Sequence, residues 1–405
     1  MAEPIRLLHF ADVHIGMENY GSIDPETGTS SRVRDFLDRL DEVIDYAIEH
    51  EGDLAIFAGD AFKHRDPDPT QQREFALRIK RLADHMPTLL LVGNHDMPAT
   101  AAKANSVDIF QALAVPNVIV GHRAEGRVVE TKRGPVFLAW LPYPMRNRLL
   151  TRQEYHGKSI EELGQILRLE VADIIRQLGV EAQDKNMPRV LAGHFSVDEA
   201  KLGSERTAML GQDVVVNRSG LADEAWDYVA LGHIHRHQVL NPGEQPPIVY
   251  SGSLERIDFG EEDEAKGFCW VKLTRGEGSW QFVPVGARPF QTLRLNAHQV
   301  KDPTEAAIAM ADQVVDGAVV RLIVAMDAAQ EAEFVEREVN QAFDRASHLT
   351  ISREVEQEAR ARLGTLSPES LTPLELLEKY FDAHRVEPER RANLLTLAAE
   401  ILQSD

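Results

Sequence analysis

Five short apolar runs along the chain each close in a tight polar cluster: IRLLHFADVH, LAIFAGDAF, TLLLVGNHD, RVLAGHF and DYVALGHIH. Runs this short, flanked by turn-forming residues, read as strands buried on both faces. Between the first three, the helical periodicity of 33–50 and 70–85 predicts two amphipathic helices. Strands alternating with helices predict a layered α/β core, in which ligands sit beyond the carboxyl ends of the strands. All five polar clusters emerge at such ends. Gly59, Gly93, Gly193 and Gly232 precede Asp60, Asn94, His194 and His233, and this placement predicts sharp turns that aim each side chain outward.

The pattern then changes. From Arg288 to Val355, β-like runs (FQTLRL, AVVRLIVAM, LTISREV) alternate with helical stretches at 304–315 and 332–346, the signature of a small α+β module. A charged stretch from Glu356 to Leu366 and a break at Ser367, Pro368 and Pro373 follow. Leucines at helical spacing on both sides of the VEPER turn then predict a helical hairpin with an apolar face. The expected domains are therefore 1–285, 286–355 and 356–405.

Composition narrows the class. With 405 residues the chain exceeds the roughly 250–300 at which a single core stops growing, which fits more than one domain. No apolar run approaches the roughly 20 residues of a membrane span. The N-terminal MAEPIRLLHFADVH reads as a first strand rather than a signal peptide, and Cys269 is the one cysteine. These features make a cytoplasmic protein the expectation. The net charge of −21 repels polyanions, so a phosphate substrate must be attracted locally. Two divalent cations held by two carboxylates and otherwise neutral ligands would leave a surplus of about two positive charges there.

Asp12, His14, Asp60, Asn94, His194, His233 and His235 are the candidate metal ligands, with His95 beside them. Imidazole and carboxylate donors without thiolate favour exchangeable ions such as Mn²⁺, with Mg²⁺ as the alternative. The set exceeds what one ion uses, so two ions sharing a carboxylate are expected, with Asp60 as the bridge. Asp12 and His14 lie two apart, as do His233 and His235; on an extended segment each pair would present one face to metal. His9, His122, His156, His237 and His348 read as solvated or core histidines, and Cys269 as a packed thiol.

The series DVH, GDAF, GNHD, GHFS and GHIH resembles the calcineurin-like metallophosphoesterases. That resemblance implies a four-layer β-sandwich flanked by helices. GSER at 203–206, WDYVALGHIHRHQ at 226–238 and YSGSLERIDFGE at 250–261 are similar, more narrowly, to the SbcD family of bacterial nuclease subunits. The narrower resemblance implies several things. Asp12, His14, Asp60 and His235 would hold one manganese ion, and Asp60, Asn94, His194 and His233 the other. His95 would be the catalytic histidine assisting the departing 3′-oxygen. Residues 286–355 would form a capping domain. The tail would dock on an SbcC-type ATPase of the SMC-like class, and 106–114, through Phe110 and Leu113, would contribute to a homodimer; burial of that amphipathic stretch in the monomer's own core is the other reading. Many relatives have a histidine three residues after the bridging aspartate; here Lys63 takes that place and His64 follows, and either side chain could face phosphate, His64 being the favoured candidate for the missing role. The expected activity is cleavage of DNA, exonucleolytic on duplex ends and endonucleolytic on single strands or hairpins. The ligands themselves also suit a phosphomonoesterase or cyclic-nucleotide phosphodiesterase, and a catalytically silent DNA-tethering scaffold is the reading outside enzymology.

Overall fold

The computed structural model describes residues 3–98, 103–145, 158–203 and 214–355, with scattered positions between 374 and 398. The chain divides into two compact units, Met1–Thr292 with Val314–Val320 and Arg345–Leu349, and Leu293–Gln313 with Arg321–Asp344 and Thr350–Asp405.

The first unit is built on two six-stranded sheets. Numbered in chain order, β1 (Ile5–Phe10), β2 (Leu54–Phe57), β3 (Thr88–Leu91) and β4 (Val118–Gly121) run parallel. Antiparallel β13 (Gly267–Thr274) and β14 (Glu277–Pro284) extend this sheet beyond β1. In the second sheet β6 (Gly134–Leu141), β7 (Arg189–His194), β10 (Tyr228–Gly232) and β12 (Ile248–Tyr250) are parallel, with β5 (Glu125–Thr131) and β11 (Gln238–Val239) antiparallel at its edges. The short β8 (Ser196–Val197) and β9 (Val215–Val216) pair separately.

Three hydrophobic cores define the layers. Leu7, Ile56 and Leu89 of the first sheet meet Leu138, Val190 and Ala230 of the second between the sheets. On the outer face of the first sheet, Leu8, Phe10, Phe57 and Leu90 pack on Leu37, Leu40 and Ile44 of α1 (Ser31–Glu49) and on Phe75 and Ile79 of α2 (Pro69–Ala83). On the outer face of the second, Phe137, Leu191, Val229 and Leu231 meet Leu163, Leu167, Val171 and Ile175 of a long helix, Ile160–Gln183. Neighbouring residues such as Leu7 and Leu8 therefore serve opposite cores, as the alternation of a strand requires. The order helix, sheet, sheet, helix is the four-layer α/β architecture expected. The helices start where the chain supplies caps: Ser30 accepts from Arg32 N–H, Asp68 accepts from Thr70 and Gln71 ahead of a first-turn proline, and Ser159 forms a capping box with Glu162.

Between them in sequence lies the short α3 (Asp108–Ala112), so Ile160–Gln183 is α4. Three further strands, β15 (Phe290–Asn296), β16 (Val319–Met326) and β17 (His348–Val355), form a sheet in that order. The second unit also contains α5 (Pro303–Ala309), α6 (Ala328–Glu333) and α7 (Glu336–Ala342). The expected helix at 332–346 is thus two helices. Phe334 is extended between them, and Val335 N–H donates to the Thr304 hydroxyl at 3.0 Å instead of to a helical carbonyl. The hairpin expected in 356–405 falls largely outside the described residues, as do His156 and residues 204–206 of the GSER segment; the positions described between 374 and 398 include helical Leu374, Tyr380, Arg391 and Leu394.

Candidate metal centre

Because β1, β2 and β3 run parallel to one another in the first sheet, as do β7 and β10 in the second, their carboxyl ends deliver the five polar clusters to one edge. There the donor atoms form three groups: Asp12, His14 and His235; His14, Asp60 and His95; and Asp60, His194 and His233. The middle group shares His14 with the first and Asp60 with the third, so two neighbouring positions are joined through Asp60 and His14. Asn94 belongs with the third, since its Oδ1 lies 3.0 Å from His194 Nε2 and 2.9 Å from His233 Nδ1.

The backbone here differs from the expectation in two ways. Asp12, His14, Asp60 and His233 themselves adopt left-handed conformations, with φ of 53°, 49°, 62° and 98°, which side chains with a Cβ rarely do. Asp12 and His14 are therefore not on an extended segment. They follow β1 as a loop laid against the loop after β2, with Asp12 N–H donating to Gly59 O, and Val13 and His14 N–H to Asp60 O. Second, of the four glycines before the ligands only Gly59 has a positive φ. The others are needed for close approach: a Cβ at Gly93 would strike the Asp60 carboxylate, and one at Gly232 the Ala58 carbonyl. His233 falls in the third group and His235 in the first, so the two histidines serve neighbouring groups.

The side-chain chemistry fits divalent metal. His194 Nδ1 lies 2.6 Å from the Ala58 carbonyl, a contact that requires a proton on Nδ1. In the neutral ring, Nε2 then presents a lone pair to Asn94 Oδ1 at 3.0 Å and to Asp60 Oδ2 at 3.3 Å. Acceptors facing acceptors call for a cation between them. Without metal a proton serves: burial disfavours the imidazolium, but the Asp60 carboxylate outweighs it and lifts His194 to about 9. For Asp60 itself, burial is overcome by His194 and His95, which hold it well below the usual carboxylate range. His14, by contrast, is pushed well down by burial and by its neighbours His95 and His235, and its Nε2 faces His235 Nε2 at 3.0 Å.

A model of the calcineurin-like phosphoesterase family matches residues 5–237, more than half of the chain. The chain belongs to this family. Among curated relatives, the SbcD subunit of the SbcCD nuclease of Escherichia coli K12 is 26% identical over 67% of this chain and 66% of its own length. Its counterpart of the same name from Bacillus subtilis is 28% identical over 69% of each chain. The DNA double-strand break repair protein Mre11 of Thermoplasma acidophilum is 27% identical over 68% of this chain and 64% of its own length. The chain thus spans about two thirds of the length of the relatives it matches.

Within this phosphoesterase, two acidic residues escaped the sequence reading. Asp96, the last residue of GNHD, is fully buried and accepts N–H bonds from Asp60, Ala61 and Gly93 and the Ser106 hydroxyl. It ties the loop after β2 to the loop after β3, and burial with Asp60 nearby raises it to about 7. Glu261, also fully buried, accepts from His235 Nδ1 at 2.9 Å and from Lys266 at 2.9 Å. Its signal was the YSGSLERIDFGE segment, noticed for resemblance and not for chemistry.

The remaining candidates divide. His95 is exposed; its N–H bonds Asp60 Oδ1 at 2.8 Å, and its Nδ1 lies 2.7 Å from the Lys63 carbonyl. Lys63 thus meets His95 through its backbone, while His64 is exposed and stands outside the three groups. Phe110 is 5% exposed and packs against Phe75 in the core on the outer face of the first sheet, which bears out core burial and corrects its reading as a partner contact, whereas Leu113 is 70% exposed. His9 is buried between Tyr228 OH and Leu231 O, and burial lowers it to about 3. Cys269 is buried, and burial pushes its thiol up to about 12, which keeps it protonated and inert.

Proposed function

We propose that this chain is a metal-dependent DNA nuclease of the two-metal type, cutting duplex ends and single-stranded or hairpin DNA in double-strand-break repair together with an SbcC-type ATPase. The observation that carries the reading is the pair of donor groups joined through Asp60 and His14 at one sheet edge; the direction toward DNA comes from the names of the relatives. When bound, two divalent ions, manganese first among candidates, supply Lewis acidity and positive charge at the phosphate. Asp12, His14 and His235 hold one position, and Asn94, His194 and His233 the other, with Asp60 between them. His95 is exposed beside His14 at a ring separation of 4.8 Å; with Nδ1–H held by the Lys63 carbonyl, it gives a proton to the departing oxygen from Nε2 of the doubly protonated ring and is left as the neutral Nδ1–H tautomer. Residues 286–355 act as the capping domain, the tail from 356 docks the ATPase, and Leu113 remains a candidate contact in a homodimer.

Described residues contain no helix long and apolar enough to cross a membrane, which fits a cytoplasmic nuclease. The decisive experiment incubates the protein with linear duplex, hairpin and single-stranded DNA in Mn²⁺ or Mg²⁺, with and without the ATPase, beside p-nitrophenyl phosphate and a cyclic nucleotide. Metal-dependent DNA cleavage is expected. Hydrolysis confined to the small esters would make the chain a phosphomonoesterase or cyclic-nucleotide phosphodiesterase, and metal binding without hydrolysis would leave a DNA-tethering scaffold.

A further inference from the structure

His194 and His235 are oriented by different partners. His194 Nδ1 meets a neutral peptide carbonyl, Ala58 O at 2.6 Å. His235 Nδ1 meets a carboxylate, Glu261 Oε1 at 2.9 Å. Glu261 is itself fixed: Oε2 accepts from Ile257 N–H at 3.0 Å and from Lys266 at 2.9 Å. Lys266 Nζ also reaches the His235 carbonyl at 3.2 Å and Glu264 at 3.0 Å. Glu261 and Lys266 are buried, at 0% and 2% exposure. The turn that carries Glu261 is built for the purpose, with Asp258 capping Phe259–Glu261 and Arg256 Nε donating to the Glu261 carbonyl.

A carboxylate on one nitrogen of an imidazole fixes its tautomer and makes the other nitrogen a stronger donor, and a full charge does so more than a carbonyl dipole. We infer that Glu261 is a positioning residue that makes the two metal positions unequal, the one framed by Asp12, His14 and His235 binding a divalent ion more tightly than the one framed by Asp60, His194 and His233. The inference rests on the two-ion reading above. Lys266 lies on the far oxygen of Glu261, Oε2, away from the ring, so Oε1 is left to face the imidazole.

Calorimetric Mn²⁺ titration of the metal-free protein, with metal content by mass spectrometry, tests this without measuring activity. The natural chain should bind in two steps of unequal affinity; binding of fewer than two ions would overturn the two-ion reading before any variant is made. Glu261→Gln should weaken the tighter step roughly 10- to 100-fold and leave the weaker one in place. Because that variant strands Lys266, Glu261→Gln combined with Lys266→Met removes both charges and should show the same loss in a folded chain. Two further variants assign the steps with Glu261 intact: His235→Ala should remove the tighter step and His194→Ala the weaker. A tight step unchanged by loss of Glu261, or one removed by His194→Ala, would overturn the inference.

Discussion

The two edges of the paired sheets both bury carboxylates, and they treat them in opposite ways. At the amino ends, Asp53 precedes β2 and binds Arg133 at 2.9 Å and the Arg6 N–H at 2.8 Å. Asp227 precedes β10 and binds Arg189 through side chain and backbone, both at 2.8 Å. Both aspartates are at least 98% buried, and a guanidinium neutralises each. At the carboxyl ends Asp60 is equally buried, but its ion pairs among the described residues are with His14 and His194, and Asp12 is faced by His194, His235 and His233. A buried carboxylate with a fixed cation is a finished structural element. One surrounded by imidazoles, which can shed a proton, has been left to receive a cation from solution.

The largest test of that contrast removes the shared carboxylate. Asp60→Asn should empty both positions together and abolish hydrolysis, read by metal content and by DNA cleavage; two ions retained at full occupancy would show that Asp60 does not join them. Next in size is His95→Gln, which should keep metal content and lower DNA turnover by about 10²- to 10⁴-fold. Hydrolysis of bis(p-nitrophenyl) phosphate, whose leaving group needs little protonation, should fall much less. Equal losses would assign His95 to phosphate positioning. Lys63→Ala should leave the chain near its natural rate, because the contact at His95 is the backbone carbonyl, and His64→Ala measures directly what an exposed imidazole adds.

At the other edge the same kind of deletion should act on stability alone. Arg189→Ala leaves Asp227 buried without its main cation, a loss of about 3–5 kcal/mol, and urea unfolding should report it while metal content and rate per folded molecule stay unchanged. A matching fall in metal affinity would mean that the two edges are coupled through β7 and β10.

The contrast also separates what could be read in the sequence from what could not. The strand ends were legible because apolar runs ending in Asp, Asn or His have a local pattern, and each parallel strand delivers its end to the same edge. Asp96 and Glu261 were not, because their partners lie far along the chain: Asp96 serves the backbone at 60 and 61, and Glu261 serves His235. The same limit leaves Phe110 open between core and partner, because its helix is amphipathic in either reading and its burial depends on Phe75 of α2. Left-handed backbone at Asp12, His14, Asp60 and His233 left no trace either, since propensity favours glycine there and only the surrounding loops hold the strain.

The smallest expected effect is on pH dependence, and its sign is that of a histidine gaining a carboxylate partner. In the metal-free protein His194 is raised to about 9, the pull of Asp60 having overcome burial, while an unfolded histidine titrates near 6.5. The folded chain therefore holds a proton that the unfolded chain releases. That contribution is complete below about pH 6.5 and is lost as pH rises through about 9, on the order of 1 kcal/mol per pH unit across the window. Bound Mn²⁺ needs a neutral His194, so loading at pH 7 should expel this proton, and the stability slope between pH 7 and 9 should vanish in the loaded protein. Thermal unfolding at several pH values with and without Mn²⁺ measures the slope, and calorimetry in buffers of different ionisation enthalpy counts the proton. A metal-free protein equally stable at pH 7 and 9 would mean that His194 is neutral already and that the third donor group is satisfied without a cation.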